Sequence, residues 1–248
     1  MGISQIVGII STTLFSVFLF LKGRINPVLL LPLVHAFTVG FIAAICAHPL
    51  LNLPLLFGKN RKGSFPWWSL LLHYPYLFFL RLYVKLRRMI TKEPVYNEVC
   101  PQLYVGGWPC SASDIPPGEP AIIDCTCELP KSPSVDNMNL SYMCIPTWDT
   151  RAPSHQDIDL AVRWAAGQRS QNRPVLVHCA FGHGRSVAVM CALLVTLGLA
   201  EDWKDAEKII KKCRPRINMN IMQRKSLENW SKFQARPNKQ VESSNGSF

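Results

Sequence analysis

Acidic residues are missing from the first 92 positions, which hold ten Lys or Arg and not one Asp or Glu. The other 17 basic residues and all 16 acidic ones follow, so the net charge of +11 belongs almost wholly to the N-terminal third. There the basic residues punctuate apolar runs, as they do at membrane edges, and a high isoelectric point of that origin gives no support to nucleic-acid binding. A zinc-type Cys-x-x-Cys pairing is also missing. The nine cysteines, odd in number, argue against a secreted disulfide scaffold and for a reducing compartment.

Charge is absent from Ile3 to Leu21, nineteen residues that suffice to cross about 30 Å of hydrocarbon as a helix. A cleaved leader fits poorly, since no basic residue precedes the run and no small-x-small site ends it. A second uncharged run, Ile25 to Phe57, is broken by Pro27, Pro32, Pro49 and Pro54, and reads as one span centred on 28–47. A third, Pro66 to Leu80, reads as a short span or an interfacial segment. Beyond it Arg81, Lys85, Arg88 and Lys92 recur at helical spacing, as on a helix lying at an anionic lipid surface; a solvated connecting helix is the alternative. With two spans or three, the basic residues concentrate on the side of the C-terminal part. The chain is therefore expected to be an integral membrane protein with that part in the cytoplasm.

The expected organisation is a membrane region over 1–92, a folded domain over 93–235 and a polar, disordered tail over 236–248. Short apolar strands are expected at Leu103–Val105, Ala121–Cys125, Ser141–Ile145 and Pro174–His178. Helical patterns alternate with them. Ser154 to Asp157 resembles a capping box, and Glu201–Cys213 and Met219–Gln234 are amphipathic. Such alternation implies an α/β layered fold.

The densest chemistry lies in Val177-His178-Cys179-Ala180-Phe181-Gly182-His183-Gly184-Arg185-Ser186, between a buried strand and the apolar helix 186–195. Gly182 and Gly184 free the backbone of 180–185 to turn its amides onto one point, and the helix adds its positive end, which together make a phosphate cradle. The same field favours the Cys179 thiolate. Arg185 offers a planar fork for two phosphoryl oxygens, and Ser186 a hydroxyl for the thiolate. His178 is expected to orient the loop. Asp149, in Pro146-Thr147-Trp148-Asp149-Thr150-Arg151, is the candidate acid for the leaving oxygen, and the same carboxylate can activate the hydrolytic water. Asp157 and Asp159 are its rivals but fall within a helix. Arg151 is read either as touching substrate or as paired with a surface carboxylate. Cys125 and Cys127 read as small buried residues, with a reversible disulfide to Cys179 as the alternative.

Over residues 98–233 these motifs, with Leu103-Tyr104-Val105-Gly106-Gly107, Ile122 to Pro130 and Arg214-Pro215-Arg216-Ile217, resemble the dual-specificity group of the cysteine-dependent protein tyrosine phosphatase superfamily. The resemblance is to its membrane-anchored, plant-like members. It implies a central, mostly parallel sheet flanked by helices, preceded here by an all-α transmembrane region. It also implies Cys179 as nucleophile, Arg185 as phosphate binder, Asp149 as general acid, and no metal or other cofactor. The expected activity is hydrolysis of phosphomonoesters through a phosphocysteine, on phosphoprotein substrates near a membrane. A phospholipid-headgroup substrate is the alternative, and a noncatalytic phosphate-binding scaffold is the reading from another class. Ala180 stands where phosphoinositide-directed relatives often carry Lys. His183 either restores some of that charge or covers the rim.

Overall fold

The computed structural model describes residues 3–235, so the expected tail lies outside the described residues. Helix α1 (Ile3–Leu21) and helix α2 (Pro27–Cys46) form an antiparallel hairpin. Asn26 starts α2 by accepting a hydrogen bond from the Val28 amide, with Pro27 at the first helical position, where its missing N–H costs nothing. The Ser4 hydroxyl donates to the Ala44 carbonyl, so the start of α1 lies beside the end of α2. Both helices are long and apolar enough to cross a membrane. The third apolar run instead divides at His73 into α3 (Trp67–Leu72) and α4 (Tyr74–Thr91), the latter running on through the basic stretch.

Five strands follow: β1 (Tyr96–Cys100), β2 (Leu103–Gly106), β3 (Ala121–Asp124), β4 (Tyr142–Cys144) and β5 (Val175–His178). Their order is β1-β2-β5-β3-β4, parallel except for β1, which pairs antiparallel with β2. The four strands expected from apolar runs are present. Strand β1 was not anticipated, because only Val99 in it is fully buried and its pattern is that of a polar edge. Alternation sorts the side chains: Val175 and Val177 of β5 face the main core, while Leu176 joins Tyr104 and Ile122 on the other face.

The main core is closed by α6 (His155–Ser170), α7 (Arg185–Thr196), α8 (Trp203–Cys213) and α9 (Ile221–Gln234). Helix α7 is buried from Arg185 to Leu194, as its uninterrupted apolar sequence requires. Ser154 caps α6, its hydroxyl receiving the Asp157 amide and donating to Asp157 Oδ2, which is one half of the expected capping box. On the opposite face sits α5 (Pro133–Asn137). The N-terminal third is not packed apart from this sheet structure. Val39, Ala43 and Ala47 of α2 and its exit share one apolar cluster with Phe57, Leu77 and Trp148.

Candidate active site

Strand β5 lies in the middle of the sheet with β2 and β3 on either side, and its C-terminal end is where an open α/β sheet places its ligands. There the chain turns through 179–184 and enters α7 at Arg185. The turn presses against the end of β2. Gly182 has a φ of 75°, and a Cβ there would lie 2.5 Å from the Gly106 carbonyl carbon, so only glycine fits. From outside, Arg214 donates to the carbonyls of Phe181 (2.9 Å) and Gly182 (3.1 Å), which turns those carbonyls away from the interior of the loop.

Cys179 is 4% exposed, and its Sγ accepts hydrogen bonds from the Gly182 amide (3.2 Å) and the Ser186 hydroxyl (3.3 Å). Burial by itself would raise its pKa. The Arg185 charge and the hydrogen bonds from Ser186 and the loop outweigh that and hold the thiol below its ordinary value. His178 is buried, with Nδ1 3.3 Å from the Cys179 carbonyl oxygen and Nε2 3.9 Å from Asp124 Oδ1, beyond hydrogen-bond reach. Burial lowers its pKa despite Asp124, leaving a neutral ring that buttresses the loop.

Arg185 is 1% exposed and gripped by a carboxylate that spacing does not reveal. Glu128 takes both guanidinium ends, Oε2 to Nη1 at 3.0 Å and Oε1 to Nη2 at 2.8 Å. Nη1 also donates to the Thr147 carbonyl (2.6 Å), and Nη2 to Asp149 Oδ1 (3.2 Å). Burial opposes the charge, but Glu128, Asp149 and Cys179 more than offset it, and the guanidinium stays charged. Nε, also buried, has no partner among the described residues. It is a donor held in reserve beside a thiol.

Asp149 therefore lies at the cradle, its side chain 37% exposed, whereas its rivals are used elsewhere. Asp157 lies in the first turn of α6, its carboxylate accepting from the hydroxyl of the cap Ser154, and Asp159 is bound by Arg163 and Gln234. Arg151 follows neither expectation. It is 7% exposed and donates from Nε (3.2 Å) and Nη2 (2.9 Å) to the Ala47 carbonyl, just past the end of α2. Trp148 is fully buried against Phe57, a core role. His183 meets Glu93 Oε2 at 2.8 Å, and burial lowers its pKa even so. A neutral, paired ring covers the rim and adds no positive charge.

Beneath the loop lies a second ion pair. Lys59, from the segment between α2 and α3, is buried with its Nζ 2.5 Å from Asp124 Oδ2 and bonded to the carbonyls of Thr126 and Leu129. Burial would raise the pKa of Asp124, but Lys59, then His178 and Thr126, bring it down to about 2. This pins both ends of the stretch that carries Glu128. Cys125 sits beside His178, whose carbonyl takes its amide, and Cys127 faces Glu128; burial raises both thiols well above their ordinary range.

A low-pKa thiol, an arginine one turn of loop away and a helix N-terminus at the end of a central parallel strand define a cysteine-dependent phosphatase of the protein tyrosine phosphatase superfamily. The dual specificity phosphatase catalytic domain matches residues 110–233, half of the chain, and the chain belongs to that family. Phosphatidylglycerophosphate phosphatase PTPMT2 of Arabidopsis thaliana is 32% identical over 100 residues, which are 39% of this chain and 42% of that relative, so the match spans about two fifths of the relative's length. Among solved structures, Tk-PTP in its active form superposes with a TM-score of 0.51 at 21% identity, covering 56% of this chain and 97% of that one. PTPMT1 in complex with PI(5)P gives 0.49 at 18% identity, over 56% and 96%.

Proposed function

We propose that the chain removes a phosphomonoester from the headgroup of a membrane phospholipid through a phosphocysteine formed on Cys179. The thiolate attacks phosphorus in line while the bond to the leaving alkoxide breaks, and Asp149 gives that oxygen its proton. A water then attacks the phosphocysteine, Asp149 taking its proton. The P–S bond breaks, inorganic phosphate departs, and the returning thiolate is met by the Ser186 hydroxyl. Arg185, through its unpartnered Nε, and the loop amides bind the equatorial oxygens as charge shifts among them.

The observation that carries the chemistry is a buried Cys179 sulfur that accepts hydrogen bonds from the Gly182 amide and the Ser186 hydroxyl, in a loop that leads into a buried guanidinium with a spare donor. The lipid substrate, held above as the alternative to phosphoprotein, now stands first, for two reasons. The Arabidopsis relative is named for a phospholipid substrate, and the Asp149 loop is hydrogen-bonded through Arg151 to the end of α2. Residues 93–235 are on this reading the catalytic unit and 1–92 its membrane anchor, with the basic excess supporting a cytoplasmic catalytic side. The full chain in lipid vesicles should release phosphate from phosphatidylglycerophosphate faster than from phosphoserine, phosphothreonine or phosphotyrosine peptides. The reverse preference would restore the protein-phosphatase reading, and wild type no faster than Cys179→Ser on either would favour the scaffold.

A further inference from the structure

Helix α4 has two apolar faces. Leu77, Val84 and the partly buried Leu80 pack inward, Val84 in one cluster with Ala180 of the cradle. The opposite face is not polar, as a solvated helix face would be. Phe79, Leu82, Leu86, Met89 and Ile90 lie along it, with Met89 72% and Ile90 80% exposed. A contiguous stripe of this kind marks an interaction surface. Its flanks carry exposed Lys85, Arg87 and Lys92, within a third of the chain that has no acidic residue. An apolar stripe between cations complements an anionic bilayer, not a second copy of the same basic helix.

Three contacts tie this helix and the candidate span to the cradle and its neighbouring Asp149 loop. Phe181 of the cradle meets Tyr83 edge-on with ring centroids 6.0 Å apart, and the Arg87 guanidinium lies 4.3 Å over the Phe181 ring. From the other side, Arg151 binds the carbonyl of Ala47, one residue beyond α2, and so holds the Asp149 loop at the height where α2 ends. We infer that α4 lies in the headgroup layer of an anionic bilayer, its stripe toward the acyl chains, and holds the cradle mouth level with the headgroups. Substrate is then taken from the membrane in which the chain itself is embedded. Arg87 brings to the rim, from outside the matched family region, the cation that Ala180 does not provide. The inference rests on the lipid reading of the function, but its physical core, the depth of α4, is measurable without turnover.

The test uses the full chain in nanodiscs of phosphatidylcholine and phosphatidylglycerol, one chain per disc. A fluorescent amino acid placed at Leu86 should be quenched by lipids brominated near the headgroup end of the acyl chain. The same probe at Leu199 should not be. Leu199 is exposed just past the C-terminal end of α7, roughly 18 Å from the cradle by helix rise. Equal quenching at both positions, or none at 86, overturns the inference, as does protection of 86 that appears only with two chains per disc. The combined variant Leu86→Glu, Met89→Glu, Ile90→Glu should hydrolyse a soluble aryl phosphate at the wild-type rate and lose about tenfold or more on disc-borne phosphatidylglycerophosphate. Equal rates for variant and wild type on both substrates also overturn it. Quenching at 86 in a wild-type chain that hydrolyses no lipid keeps the docking and removes the substrate reading instead.

Discussion

At the scale of single residues, competing effects in the cradle have a clear winner. Burial disfavours a thiolate, and Cys179 is nevertheless pulled down by Arg185 and by the Ser186 hydroxyl. The donor from Ser186 favours the charged form, so Ser186→Ala should raise the thiol pKa. The acid limb of kcat/KM should then move to higher pH by about one unit, which a pH–rate profile with a soluble aryl phosphate reads directly. Asp149→Asn keeps the size of the side chain and removes its proton. It should lower kcat by about 10²- to 10⁴-fold with leaving groups that need protonation, and far less with a good phenoxide leaving group. These residues were legible in the sequence because their chemistry is local: cysteine, two glycines, arginine and serine share one loop. Glu128 was not, although it holds Arg185 at both ends, since it lies 57 residues away and no spacing encodes that contact.

At the scale of elements, the strand and helix alternation was readable because buried parallel strands are short apolar runs and α6, α8 and α9 carry helical periodicity. The polar edge β1 and the five-residue α5 lack both signals. Least legible was Lys59, which charge counting assigns to a basic membrane flank and which instead sits beneath the cradle loop on Asp124, the last residue of β3. Removing one partner of a buried pair leaves the other charge unpaired, so Lys59→Met should destabilise the fold by about 3–5 kcal/mol, read as a lowered thermal midpoint in detergent. The pH dependence has a defined sign. Asp124 has its pKa depressed to about 2, so the stability it adds is present above its unfolded value of about 4 and is lost as pH falls toward 2. The Lys59→Met protein should show a flatter acid denaturation curve than wild type over that window.

At the scale of the whole molecule, a composition boundary near residue 92 does not coincide with a gap in packing. Lys59 on Asp124, Phe57 on Trp148, Arg88 on the Trp108 carbonyl and Arg151 on Ala47 all cross it. Residues 93–248 expressed alone should therefore be less stable than the full chain, with an earlier thermal transition and an apolar surface that binds hydrophobic dye. A fragment as stable as the full chain would show these contacts to be incidental. The same contacts place the Asp149 loop against the end of a helix long and apolar enough to cross a membrane, as the proposed lipid substrate requires.

The central claim is a phosphocysteine on the path from lipid phosphomonoester to phosphate. The direct measurement is an acid quench, within the first turnover, of the full chain in vesicles containing phosphatidylglycerophosphate labelled in its terminal phosphate, followed by peptide mapping. The account predicts label on the peptide bearing Cys179, decaying as free phosphate appears and absent from Cys179→Ser. Phosphate released with no label on Cys179, or label carried by any other residue, would contradict it.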